Sequence, residues 1–415
     1  MDLFFIVILA LLGAKLLAQL WLEHLNRKEV LAHANAVPEA FKDSINQATY
    51  RKAVDYTLAK GRFAQFEIFY DTAVLALVLV SGVLPAFFGW VTNTWDRSAA
   101  AQAACIFLAG TLLSIPSMPV NWAEQFRLEQ RFGFNTTTPG TWWLDRLKGL
   151  LLSALLGYPL LILVLKIVQW TGALWWLWAW GVVMAFQLVM LVLAPVLILP
   201  LFNKFTPLAE GSLRERLLRL GERTGFHSRS IQVMDGSKRS RHSNAFFTGF
   251  GEFRRIVLFD TLINQLTEVE LEAVLAHEIG HYKKRHIPKM LAGSAVGLLA
   301  AFWLIARLAE QPWFLRAFGF EPGAIAPALL LFSLLSGLLT FWFSPLFNIL
   351  SRKFEYQADR YAAGTMGESD SLSGALRKLN EKNLSNLTPH PLYSGFYYSH
   401  PTLLEREAAL RRSQE

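Results

Sequence analysis

Seven apolar runs govern what this chain can fold into. They lie near residues 3–22, 67–90, 101–120, 149–168, 174–201, 288–310 and 325–347 of a 415-residue chain, and each approaches the ~20 residues with which a helix crosses the hydrocarbon of a bilayer. The expected fold class is therefore a mainly α, polytopic membrane protein with seven transmembrane helices. Composition agrees, since 53% of the residues are hydrophobic and only 17% charged, against about 25% charged in soluble chains. That balance excludes a disordered chain and a coiled coil. The single cysteine, Cys105, excludes an internal disulfide and a Cys-rich metal site, so any metal chemistry must use His and carboxylates. The first run lacks a basic leading region and a small-residue cleavage site, and is expected to stay as a helix rather than be removed.

Charge sorts by side. Lys plus Arg number 7, 4, 14 and 9 in alternate segments between the runs, and at most one in each segment separating those. Basic residues collect on the cytoplasmic face of a membrane, which places the N-terminus outside and the four basic segments in the cytoplasm. The net charge of +8 is then a consequence of topology, and no nucleic-acid partner is expected; the expected partners are membrane lipid and a peptide or protein substrate.

The expected organisation is residues 1–201 as transmembrane helices one to five with their loops, 202–287 as a cytoplasmic insert, 288–347 as helices six and seven, and 348–415 as a cytoplasmic C-terminal segment. Neither polar stretch is long enough to bury much of a core alone, so the two are expected to fold together. In the insert, leucines and arginines over 213–224 alternate as on an amphipathic helix that Gly225 ends. Three β-rich runs at 231–235, 244–250 and 255–260 follow, as in a small sheet. Thr267 with Glu270 three residues on is a capping box, opening a helix expected to run to about His286.

That helix carries His277-Glu278-Ile279-Gly280-His281. Two imidazoles at i and i+4 share one helical face and can bind one zinc ion, with the intervening Glu278 placed as a base beside it. Hydrolytic zinc takes three protein ligands and keeps a position for water. Glu355, just after the seventh run, is the expected third ligand. Asp359, one turn further, is placed to accept a hydrogen bond from a ligating imidazole. His286 follows the basic cluster Lys283-Lys284-Arg285 and reads as interfacial, while His227, His242 and His390 fall in expected loops.

With these residues in view the sequence resembles the type I CAAX prenyl proteases, integral-membrane zinc metallopeptidases of the gluzincin type. The resemblance rests on His277 to His281, on Glu355 to Asp359, and on four further stretches beginning at Leu128, Pro200, Ser243 and Ser399, which read LEQRFGFN, PLFNKFTPL, SNAFFTG and SHPTLLER. It implies a cytoplasmic zinc-peptidase domain containing the small sheet, set at the end of a helix-walled chamber. It also implies that Asn244 holds the substrate backbone and that His400 and Arg406 stabilise the oxyanion or orient neighbouring groups. The substrate class implied is a peptide cut near its C-terminus, with or without a prenylated cysteine. Compact loops and the lack of an obvious retrieval tail make a bacterial inner membrane the expected location, the endoplasmic reticulum being the alternative. Other readings are a heat-shock-type quality-control membrane protease, which has fewer spans, and a non-catalytic membrane protein with a closed structural metal site.

Overall fold

The computed structural model describes residues 2–226, 230–248 and 255–412. Among the described residues, five helical runs are long and apolar enough to cross a membrane: Leu3–Ala32, Gln47–Val80, Pro139–Phe202, His286–Ala309 and Ile325–Met366. A sixth is added if the bent pair Ala99–Ser114 and Ser117–Phe132 is one span. The protein is thus a helical membrane protein of five to six apolar helices with one small sheet.

The second apolar run does not form one helix, as its expected bounds of 67–90 required. Helix Gln47–Val80 ends at Ser81, Gly82 takes the left-handed conformation at φ 70°, and a separate helix, Val83–Thr94, begins. Only glycine reaches that φ without strain, so the break is written into the residue. The seventh run differs in the other direction. Its helix does not stop at the end of the apolar residues but continues through Glu355 and Asp359 to Met366, 42 residues in all. The turns that carry Glu355 and Asp359 and the apolar span are one continuous helix, and the position of the first is set by the packing of the second.

Four strands form the sheet in the order β1-β2-β4-β3. They are β1 (Phe205–Pro207), β2 (Ser230–Met234), β3 (Ala245–Thr248) and β4 (Arg255–Phe259). β2 and β4 are parallel and the outer pairs antiparallel. Strand β1 contains Pro207 and escapes a β-pattern reading, because three residues are too few to show alternation. The amphipathic helix is Ser212–Thr224, closed by Gly225 at φ 60°, and the motif helix is Glu268–Lys283 with its capping box formed in both directions.

One buried core joins these pieces. Leu217 and Leu220, Ile256 and Leu258, Leu271, Leu275 and Ile279 pack with Ala362, Leu376, Leu403 and Leu410. Residues from both polar stretches therefore bury one another's apolar faces, which neither could do alone.

Candidate metal centre

Two helices bring the site together. The motif helix presents His277 and His281, and the long helix presents Glu355. His277 Nε2 lies 3.4 Å from Glu355 Oε2 and His281 Nε2 lies 3.3 Å from Glu355 Oε1, while the two Nε2 atoms are 3.1 Å apart. The helices can approach this closely because of Gly280. A Cβ there would meet the backbone of Ala358 at 3.0–3.1 Å and Tyr361 Cβ at 3.1 Å, so the glycine inside the motif is what lets one helix lie on the other.

The donor set fits a metal ion on three counts. His277, His281 and Glu355 each offer one ligand atom, all within 4.8 Å of one another. Tetrahedral zinc with bonds of about 2.0–2.1 Å separates its ligand atoms by roughly the spacing seen here. Glu355 Oε2 is buried and makes no hydrogen bond, which leaves its lone pairs free for a cation beyond the Arg406 Nη1 that lies 3.8 Å away.

Behind these atoms sits a second layer. His277 Nδ1 is 2.8 Å from Asp359 Oδ1. Arg406, from the C-terminal helix Leu403–Arg412, grips the same carboxylate in bidentate fashion, Nε to Oδ2 at 2.9 Å and Nη2 to Oδ1 at 2.6 Å. Arg406 is buried, and besides Asp359 its Nη1 lies 3.8 Å from Glu355 Oε2. Burial alone would lower the His277 pKa, but the hydrogen bond to Asp359 and the Glu355 carboxylate 3.4 Å away outweigh it and hold the imidazole up at about 9.

His286 is a residue the sequence reading undervalued. It does not lie on the motif helix, which ends at Lys283. Arg285 adopts a left-handed φ of 55°, and His286 starts the next helix. A non-glycine residue held there costs roughly 1–2 kcal/mol, strain of the kind concentrated at functional sites. The turn delivers His286 Nδ1 to 2.9 Å from His281 Nδ1, and His286 Nε2 to 2.9 Å from Gln357 Oε1. Its ring stacks on Phe354 at 4.2 Å and is 1% exposed. The only sequence signal was a histidine five places after His281, too loose a spacing to read without the turn.

The side chain of Glu278 makes no hydrogen bond among the described residues, and burial pushes its carboxyl pKa up. His400 is exposed, with Nε2 3.5 Å from Glu355 Oε1 and Nδ1 3.0 Å from Ser399 Oγ. Desolvation within the cleft and the facing charge of Arg406 lower its pKa against the pull of Glu355. A cavity of about 660 Å³ opens beside it, lined by His242, Asn383, Tyr398, His400 and Arg406 among others. Asn244 stands at the start of β3, exposed, its Oδ1 accepting from Ala245 N at 2.8 Å. β3 is an outer strand of the sheet and packs on the motif helix. Of the other histidines, His242 stacks on Phe134 at 4.1 Å, His390 caps the helix Pro391–Tyr397, and His227 lies outside the described residues.

Comparison with known proteins bears on both halves of the chain. A family model described as the CAAX prenyl protease N-terminal region with five membrane helices matches residues 26–204, and one described as peptidase family M48 matches residues 207–414. CAAX prenyl protease 1 of Saccharomyces cerevisiae is 37% identical over 412 residues, covering 90% of this chain and 88% of that protein. The Homo sapiens homolog is 30% identical over 91% of this chain and 89% of its own. The crystal structure of S. mikatae Ste24p superposes with a TM-score of 0.91 at 34% identity, covering 98% of each chain.

Proposed function

The chain belongs to the M48 peptidase family with a CAAX prenyl protease N-terminal region, a family of membrane metalloproteases, and on that premise we propose that it is a zinc endopeptidase. It cuts peptide bonds near the C-terminus of CAAX-type or related substrates. The observation that carries the reading is a three-donor site, His277, His281 and Glu355, with the unbonded carboxylate of Glu278 beside it. The substrate class comes from the names of the relatives, and prenylation is part of those names rather than of the site's geometry.

His277, His281 and Glu355 would hold one zinc ion, which when bound would supply Lewis acidity and lower the pKa of a water molecule. Glu278 takes the proton of the attacking water and returns it to the leaving amine; its raised pKa brings it closer to the working pH, where a general base is most effective. His400 reaches the open side. With Nδ1 accepting from Ser399, its Nε2–H is a donor for the oxygen that gains charge. Arg406 lines the same cavity as His400 and also acts through Asp359, which fixes the His277 ring. The side-chain amide of Asn244, whose Nδ2 makes no hydrogen bond among the described residues, holds a backbone carbonyl of a substrate extended along the β3 edge.

The tautomers follow from the ligation. If Nε2 were to hold a metal, His281 would carry its proton on Nδ1 and donate to His286 Nδ1, and neutral His286 would carry its own on Nε2 and donate to Gln357 Oε1. One ligand imidazole is thus backed by a carboxylate and the other by a neutral ring.

Seven crossings remain the reading of the membrane part. The run Pro139–Phe202 is 64 residues, roughly 96 Å of helix and about three times the hydrocarbon thickness. Gly172, at φ 58° and ψ −134°, interrupts it, and Tyr158–Thr171 packs against Trp175–Leu193, as two antiparallel crossings do. Residues 202–287 and 348–415 form one catalytic unit on the cytoplasmic side, where the basic segments lie. That side is the same whether the membrane is a bacterial inner membrane or the endoplasmic reticulum of the eukaryotic relatives. A fluorogenic peptide assay tests the function: cleavage that a chelator stops and zinc restores is expected, and chelator-insensitive cleavage contradicts it.

A further inference from the structure

The cytoplasm-facing end of the long helix carries a groove that the proteolytic site does not use. Its volume is about 800 Å³, and it is walled by Arg352, Lys353, Tyr356 and Arg360 of the long helix and by Arg412 of the C-terminal helix, with Ile349 at its membrane end. None of the four cations forms an ion pair among the described residues. Arg352 Nη1 donates to the carbonyls of Ser394, Gly395 and Tyr398 at 3.3, 3.2 and 2.7 Å, and Arg412 Nε to the carbonyl of Ala408 at 3.2 Å. Both therefore keep their full charge. Lys353, Arg360 and Arg412 are exposed. The carboxylate beside Tyr356, that of Glu405, is occupied in capping its own helix through Thr402 N and Oγ1.

Immediately before the groove the same helix exposes Leu346, Phe347, Ile349 and Leu350. Exposed apolar side chains that give way within about a turn to unpaired cations mark the depth at which acyl chains end and headgroups begin. We propose that the groove binds the phosphate of an anionic phospholipid, whose acyl chains run along Leu346, Ile349 and Leu350. Four like charges around one cavity repel one another, and a phosphate among them removes that repulsion and joins the two helices that wall it. Those helices are the ones that meet at the metal centre. The long helix carries Glu355 and Asp359 on another face, and the C-terminal helix carries Arg406 onto Asp359. The lipid braces the C-terminal helix and so holds Arg406 in place.

Full-length protein in nanodiscs of phosphatidylcholine alone, or of phosphatidylcholine with an equal amount of phosphatidylglycerol, provides the test. Native mass spectrometry is expected to show phosphatidylglycerol retained in preference to phosphatidylcholine. Each basic group near an anionic surface adds roughly fivefold to affinity. Lys353→Gln and Arg412→Gln singly are expected to weaken retention about that much, and their combination with Arg360→Gln by on the order of a hundredfold. Hydrogen exchange of 403–412 is expected to slow in the phosphatidylglycerol discs for the wild type and not for the triple variant, with both unfolding alike in phosphatidylcholine. Equal retention of the two lipids by the wild type, or undiminished retention by all three variants, overturns the proposal. Slowing of exchange by inorganic phosphate alone, with phosphatidylglycerol giving none, assigns a soluble anion and overturns the lipid. Retention without any slowing overturns the brace.

Discussion

Asp359 Oδ1 lies 2.8 Å from His277 Nδ1 across 82 residues of sequence, and the same carboxylate is held from its other side by Arg406. Three helices are tied at this one group, so the His277 ring is oriented from the side away from His281 and Glu355. Asp359→Asn keeps the shape and loses the charge. Partners of ligating imidazoles contribute about 10–100-fold to metal affinity, and a loss in that range is expected in zinc titrations. Unchanged affinity would remove Asp359 from the site.

His286 makes the second such contact, to His281. His286→Phe preserves the stack on Phe354 but cannot accept the proton of His281 Nδ1. Zinc affinity is expected to fall about tenfold, with the visible spectrum of the cobalt-substituted protein altered and thermal unfolding nearly unchanged. His286→Asn, whose amide oxygen can accept, is expected to recover part of the loss; if both variants bind zinc like the wild type, His286 is packing alone.

Gly280→Ala tests the approach of the two ligand-bearing helices. The added methyl meets backbone at 3.0 Å, which cannot move aside like a side chain. A destabilisation of about 1–3 kcal/mol is expected from such overpacking, together with weaker zinc binding because Glu355 is pushed away from the imidazoles. A stable variant with full zinc affinity would show that the helices do not need this contact.

Zinc binding must follow pH in a definite direction. In the metal-free protein the His277 pKa is raised to about 9, so at neutral pH the metal has to displace a proton. Apparent affinity should rise by about tenfold per pH unit from neutrality and level off near that value. Isothermal titration in buffers of different ionisation enthalpy reads the proton released. Affinity that is flat between neutrality and pH 9 would mean that His277 is already deprotonated.

Much of this site was legible in the residues. His277 and His281 show themselves because helical periodicity alone puts them on one face, with Glu278 beside it, and Glu355 and Asp359 because they repeat the same spacing where an apolar run ends. The hidden part depends on where the chain bends. His286 needs the left-handed Arg285 to reach His281, and no propensity favours arginine in that conformation. Arg406 looks like any cation on a surface helix, because its burial comes from a partner 47 residues away. Among the spans, 67–90 was misjudged since hydropathy averages across Gly82, where the backbone turns. β1 is too short to carry a pattern.

The central claim is that one ion is held by His277, His281 and Glu355 with its remaining position open. X-ray absorption at the zinc edge of purified Glu278→Gln protein tests it most directly. One zinc per chain is expected, with two imidazole nitrogens and otherwise oxygen neighbours at about 2.0–2.1 Å, in a protein that no longer cleaves peptide. A third imidazole closing the coordination sphere, or cleavage retained by this variant, would contradict the account.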